Sequence, residues 1–323
     1  MALRRRPGPS RTDFLTESRP LRIAIAFAII YIVWGSTYLA IRVGVQSLPP
    51  GLFSGVRFLI AGALMLLYAR ARGAQLPASR RDWRNNALTA LLMLVGGNGL
   101  VTWSEQWIES NQAALIVATS ALWLAWMGTW GAQGERLNRL TVLGLALGFG
   151  GVAVLVQSGL QLRAGPAPAY VALILAPVCW AAGSVGARRA PVSCAPAMTA
   201  ALQMLIAGAV LCALGVAAGE PARWSWNPGA LVALAYLIVF GSCIAYGAYY
   251  WLVHEVPPAQ LGTYAYVNPA IAVVLGWWLL HERLNSAQVL GTAIILASVL
   301  LVTWASRKPH VSSRGAQRRG ISS

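Results

Sequence analysis

Three kinds of residue in this chain stand where they can act on a small molecule: an arginine inside an apolar run, a polar ladder, and aromatic rings beside hydroxyls. Arg57 lies about five residues into the apolar run 52–69. An ionisable group at such a depth is costly in hydrocarbon and is a functional candidate by default. Two readings stay open for it: a guanidinium that snorkels to the nearer interface or bonds loop carbonyls, and one that binds an anionic or carboxylate group. Asn98, Thr102 and Glu105 follow at i, i+4 and i+7, one face of a helix. Ser242, Tyr246 and Tyr249 repeat that spacing in a later run. Glu105 has two readings as well, a carboxyl that burial keeps protonated and able to carry a coupling proton, or a glutamate at the outer interface near Glu109. Trp34 and Tyr38 flank Ser36 and Thr37, an aromatic wall beside two hydroxyls that suits an apolar body with a polar head. Tyr264 and Asn268 share a face, and Pro269 removes an amide donor, so the helix there is expected to act as a hinge or to absorb packing strain.

Other chemistries find no frame. His254, His281 and His310 are scattered, no HExxH or GxxxxGK[ST] occurs, and the one lysine is Lys308 near the C-terminus. Gly183-Ser184 and Gly241-Ser242 are simple pairs without the GxSxG elbow. Cys179, Cys194, Cys212 and Cys243 lack CxxC spacing and read as small core residues. No catalytic residue, cofactor or metal is expected, and the chain does not read as an enzyme.

The elements that must position these residues are apolar. Of 323 residues, 57% are hydrophobic and 11% charged, against about 25% charged in a soluble domain. Runs of spanning length lie near 22–41, 52–69, 86–107, 111–130, 137–157, 168–187, 195–217, 229–253, 258–280 and 286–305. No short apolar stretch with a small-residue cleavage site precedes the first of them, so it is expected to persist as a helix. The net charge of +16 does not indicate nucleic acid, because its basic residues sit in the tails and short connections, where they orient helices. With the N-terminus inside, 20 basic residues fall on the cytoplasmic side and only Arg42, Arg163, Arg223 and Arg283 on the other. The expectation is ten spans with both termini cytoplasmic in a bacterial inner membrane, and a lipid bilayer as the principal partner.

A repeat organises the spans. Leu59-Ile60-Ala61-Gly62-Ala63 recurs as Leu205-Ile206-Ala207-Gly208-Ala209, an offset of 146 that also pairs Trp34 with Trp180 and Arg57 with Gln203. Glu135-Arg136-Leu137-Asn138 recurs as Glu282-Arg283-Leu284-Asn285, an offset of 147. Five helices per copy is odd, so the second copy enters the membrane from the opposite side. The fold class is therefore an all-α membrane protein with ten transmembrane helices as two inverted five-helix repeats. The units are a basic tail 1–21, repeats 22–157 and 168–305 joined by an extracytoplasmic linker 158–167, and a basic tail 306–323. Inverted repeats suit secondary transport, because rocking one half against the other exposes a midplane site to each side in turn.

Trp34-Gly35-Ser36-Thr37-Tyr38, Arg57-Phe58, Tyr266-Val267-Asn268-Pro269 and Glu282-Arg283-Leu284 resemble the EamA family of the drug/metabolite transporter superfamily, most of all its bacterial inner-membrane exporters. The resemblance covers roughly 24–156 and 169–303. It implies ten helices around a central cavity and proton-linked or exchange-type movement of amino acids, metabolites or drugs. The family often has a proline in the middle of helix four, where this chain has Ser120-Ala121-Leu122, which implies a weaker hinge in the first half. The expected substrate-binding set is Trp34, Ser36, Thr37, Tyr38, Arg57, Asn98, Thr102, Trp180, Gln203, Ser242, Tyr246, Tyr249, Tyr264 and Asn268, with Glu105 for proton coupling and Pro269 as hinge. The alternatives are an intramembrane enzyme using Glu105 or a histidine as base, and a channel or receptor, which non-saturating or absent flux would distinguish.

Overall fold

The computed structural model describes residues 11–108, 110–131, 134, 136–157, 166–271 and 286–307. Most of the C-terminal tail, residues 158–165 of the expected linker, His281, His310, Arg163 and Arg283 lie outside them. The first half consists of α1 (Arg11–Val45), α2 (Pro50–Ala71), α3 (Arg80–Ser104), α4 (Ser110–Ala118), α5 (Ser120–Gly128) and α6 (Arg139–Gln157). The second consists of α7 (Ala167–Arg189), α8 (Pro196–Ala217), α9 (Pro228–Glu255), α10 (Pro258–Leu261), a helical stretch α11 at 264–271, and α12 (Ser286–Arg307).

Six of these contain a segment long and apolar enough to cross a membrane, including Arg19–Val45 of α1, and Ile116–Gly128, Arg139–Val154 and Val289–Ala305 are shorter apolar helices. The expected ninth run, 258–280, extends beyond the described residues. The distribution of side chains is that of a protein solvated by lipid. Leu67, Val232 and Leu300 are 68%, 70% and 72% exposed, while Arg57 is 3% exposed and Glu105, Gln203 and Asn86 are fully buried. Helices carry this pattern because their backbone bonds are satisfied internally where no water can compete.

The halves pack with two-fold pseudo-symmetry. At the α2–α8 crossing a Cβ on Gly208 would meet the Leu59 amide and Gly55 carbonyl, and one on Gly62 would meet the Leu205 amide and Ala201 carbonyl. Since Gly62 corresponds to Gly208 and Gly55 to Ala201, these are one contact made twice. Gly144 against the Ser298 carbonyl and Gly151 against that of Gly291 repeat the device between α6 and α12. In lipid, where apolar surface gains nothing by leaving its solvent, such small residues let backbones approach closely enough to hold helices together.

Helix ends collect at two levels. One, the terminal end, brings Arg19 onto Glu255 (2.9 Å), Arg188 onto the Val253 carbonyl (2.9 Å), Arg189 onto the Met127 carbonyl (2.9 Å) and Tyr31 onto Thr263 (2.9 Å). At the opposite end Glu220 accepts from the Gly51 and Leu52 amides (3.1 and 2.7 Å), and Arg42 donates to the Glu105 carbonyl.

Two local features differ from expectation. Leu91–Gly99 of α3 and Leu237–Tyr246 of α9, at matching places in the two repeats, are π-helical. A π segment bonds i to i+5 and is wider than an α-helix, so side chains beyond it are rotated relative to those before it. The second lies beside Ser120-Ala121-Leu122, where the weaker hinge is expected. The first-half helix is interrupted even without proline, at Thr119, whose hydroxyl donates to the Ile116 carbonyl at 2.7 Å. This is the side-chain competition with the backbone ladder that bends helices. In the second half the interruption falls at Gly262-Thr263, and the helix continues through Pro269.

Candidate functional site

Between the halves lies a cavity with about 680 Å³ of empty space, its open mouth included. α1 contributes Trp34, Thr37 and Tyr38, α2 contributes Arg57 and Phe58, and the π segment of α3 contributes Leu94, Gly97 and Asn98. From the second half come Pro177 and Trp180 of α7, Gly241 and Tyr246 of the π segment of α9, and Tyr264 and Asn268 of α11. Ile41 and Val101 extend the wall toward the opposite end.

Six aromatic side chains, Trp34, Tyr38, Phe58, Trp180, Tyr246 and Tyr264, stand in that wall. Trp34 and Trp180, the repeat-related pair, meet edge to face at 5.5 Å. Tyr249, one turn nearer the terminal end than Tyr246, lies 5.0 Å from Trp34, 5.2 Å from Trp180 and 5.4 Å from Tyr264. Its hydroxyl accepts from the Trp180 indole (2.8 Å) and bonds Ser184 (2.8 Å), so it closes the floor without lining the cavity.

Among the described residues, Arg57 is the only one lining the cavity that carries a formal charge. It does not snorkel: its side chain is buried, its Nε donates to Ser242 Oγ at 2.8 Å, and its guanidinium stands 5.0 Å from the Phe58 ring centre. The side-chain oxygens of Asn98, Asn268 and Ser120 are buried without a partner among the described residues, and all three residues line the cavity. A single cation, three unpartnered oxygens and aromatic faces suit a small amphipathic molecule with a polar head.

Several expected residues stand behind the wall. Ser36 bonds the Val33 carbonyl (2.7 Å) and Tyr236 (2.6 Å), Thr102 bonds back to the Asn98 carbonyl (3.0 Å), and Gln203 accepts from Tyr246. Ser242 holds Arg57 rather than lining the space. The i, i+4, i+7 ladder is split: Asn98 lines the cavity, whereas Thr102 is tied back to its own helix and Glu105 falls just past the end of α3, off the wall.

Glu105, just past the last residue of α3, is fully buried, and neither carboxyl oxygen has a partner among the described residues. Burial holds its carboxyl well above the usual carboxylate range, with Arg42 pulling the other way. Reasoning from sequence missed Gly97, Gly241, Ser120, Phe58 and Pro177. The available signal was a Gly96-Gly97 pair and a Gly241-Ser242 pair at the same depth of two runs that prove to be helices of 25 and 28 residues, longer than the roughly 20 a bilayer needs.

Comparison with known proteins follows this geometry. Residues 21–157 and 167–304 each match the EamA-like transporter family. The chain is 40% identical over 279 residues to YedA, an uncharacterized inner membrane transporter of Escherichia coli K12, covering 86% of this chain and 89% of that protein. It is 26% identical over 298 residues to the uncharacterized transporter YvbV of Bacillus subtilis, 92% of this chain and 97% of that one. A protein known by crystal structure aligns with a TM-score of 0.74 over 90% of this chain and 100% of its own, at 23% identity, a likeness of fold alone.

Proposed function

The chain belongs to the EamA-like transporter family, and from that premise we propose that it is a secondary carrier that exports small amphipathic metabolites, amino acids or related compounds, by alternating access. The observation that carries this reading is the cavity between the repeats, with Arg57 to meet an anionic group and the Trp34, Trp180, Tyr246 and Tyr264 rings to meet an apolar body. Contacts at the terminal end, among them Arg189 to α5 and Tyr31 to Thr263, cross between the halves and close that side. Residues lining the cavity from α1, α2 and α3 lie from mid-depth toward the opposite end.

The 20-to-4 split of basic residues supports both termini in the cytoplasm, and the 40% identity to YedA, an inner membrane transporter, supports an inner-membrane location. Glu105 is the group proposed to couple a proton, since a carboxyl buried without a partner changes charge only when its surroundings change. Pro269, in α11 beside the cavity, is the proposed hinge of the second half.

The test is counterflow of labelled amino acids, nucleobases and cationic drugs in proteoliposomes, with and without an imposed pH gradient. Saturable movement of one class that responds to the gradient supports a proton-linked carrier. Saturable exchange indifferent to pH removes Glu105 from the account, and no saturable movement of any class overturns the transport reading.

A further inference from the structure

An arginine side chain is long and free to rotate, so a guanidinium that discriminates between ligands has to be held. One peptide of α9 does this here. Ser242 Oγ accepts the Arg57 Nε proton at 2.8 Å, with Ser242 fully buried and Arg57 3% exposed. That bond engages the nitrogen nearest the stem and leaves both terminal nitrogens without a partner among the described residues, on a residue that lines the cavity.

The neighbouring Gly241 supplies the room. A Cβ there would stand 3.1 Å from Arg57 Nη2 and 3.3 Å from Thr37 Cγ2. Its carbonyl accepts the Trp34 indole proton at 3.2 Å. One Gly-Ser pair therefore orients both the charge and an aromatic wall of the site. Both residues fall in the π segment Leu237–Tyr246, a kind of widening frequent at functional sites.

Resting on the reading of this cavity as the substrate site, we propose that Gly241-Ser242 is the selectivity element of the carrier. It presents the terminal nitrogens of Arg57 as a fork for a carboxylate and makes the cavity prefer carboxylate-headed amphipaths to the isosteric amide and to cations. A planar fork matches a carboxylate with two parallel charge-assisted bonds. An amide of the same shape leaves part of a buried charge unanswered, the kind of mismatch that discriminates strongly, and a cation meets a like charge in a medium of low dielectric. Ser242 is in this account a positioning residue, acting through Arg57.

The experiment titrates the purified full chain in detergent, by tryptophan fluorescence, with 3-phenylpropionate, 3-phenylpropionamide and 3-phenylpropylammonium; Trp34 and Trp180 line the cavity and report occupancy. The wild type is expected to bind the carboxylate at least about tenfold more tightly than the amide, as a charge-assisted buried bond implies. Ser242→Ala is expected to lose most of that preference while binding the amide as before, which also shows that the variant folds, and Ser242→Thr to retain it. Arg57→Gln should abolish the preference, and adding Ser242→Ala to it should change nothing further. The proposal is overturned if Ser242→Ala keeps the wild-type preference, or if it weakens carboxylate binding equally with Arg57 already removed. Equal binding of all three probes by the wild type sinks this inference and leaves the cavity as a site; binding of none sinks the reading of the cavity itself.

Discussion

Glu220 fastens the second half to the first at the opposite end of the bundle, and removing it measures what that fastening contributes. Its carboxylate accepts from the Gly51 and Leu52 amides at 3.1 and 2.7 Å, the first free amides of α2, and its side chain is only 6% exposed. Gly215 leaves the space, since a Cβ there would crowd Glu220 Oε2. A bond to a charged acceptor contributes about 1.5–3 kcal/mol, an N-cap side chain about 0.5–2 kcal/mol, and a partly buried anion at a helix N-terminus up to about 2 kcal/mol. These describe the same atoms and do not add, so Glu220→Ala is expected to cost about 2–3 kcal/mol. Glu220→Gln, which keeps one acceptor oxygen, should cost about half as much. The ion pair to Arg223, at 3.8 Å with Arg223 56% exposed, adds little. With roughly 2 °C or slightly more per kcal/mol for a chain of this size, the alanine variant should melt about 5 °C lower in detergent. Thermal unfolding followed by circular dichroism is the assay. A midpoint unchanged by Glu220→Ala, or a glutamine variant as weak as the alanine one, would refute the reasoning.

Three further outcomes follow from the packing and the buried groups. Gly208→Leu should abolish the folded protein, because its Cβ meets backbone at 2.8 and 2.9 Å, whereas Gly150→Leu, which meets nothing within 4 Å, should yield wild-type amounts on size-exclusion chromatography. Arg189→Gln removes bonds to the Met127 and Trp130 carbonyls that have no counterpart at the opposite end, where the repeat-related residue is Val43. It should shift the carrier toward opening at the terminal end by about fivefold, the worth of about 1 kcal/mol, read as faster reaction of a cysteine in the cavity with reagent from that side. Glu105 titrates above the usual carboxylate range, so the neutral acid is the form that persists at low pH and is lost as pH rises through the raised value. Gradient-driven transport by the wild type should therefore fall at alkaline pH, and Glu105→Gln should flatten the profile.

The architecture was legible because hydrocarbon leaves few solutions: long apolar runs became helices, and the repeated Leu59-to-Ala63 and Leu205-to-Ala209 segments became the α2–α8 crossing. The candidate site was legible for Trp34, Thr37, Tyr38, Arg57, Asn98, Trp180, Tyr246, Tyr264 and Asn268, which all line the cavity. It was not legible beyond them. The i, i+4, i+7 spacing placed Asn98, Thr102 and Glu105 on the cavity face, but Thr102 is tied back to the Asn98 carbonyl, Glu105 lies past the end of α3, and of the three only Asn98 lines the cavity. Gln203, Ser242 and Tyr249 have the right types but act on Tyr246, Arg57 and Trp180, because a polar residue between helices satisfies its neighbours first. The interruption at Thr119 carried no proline to announce it.

Ser120 offers the most direct test of whether this cavity is the path. It lines the space between the halves and is almost completely buried. With the four native cysteines replaced, a cysteine at position 120 would be treated with a membrane-impermeant maleimide from either side of oriented vesicles, and counterflow measured before and after. The account predicts labelling from both sides and loss of exchange once labelled. Labelling from one side only, or exchange that continues in fully labelled protein, would contradict it.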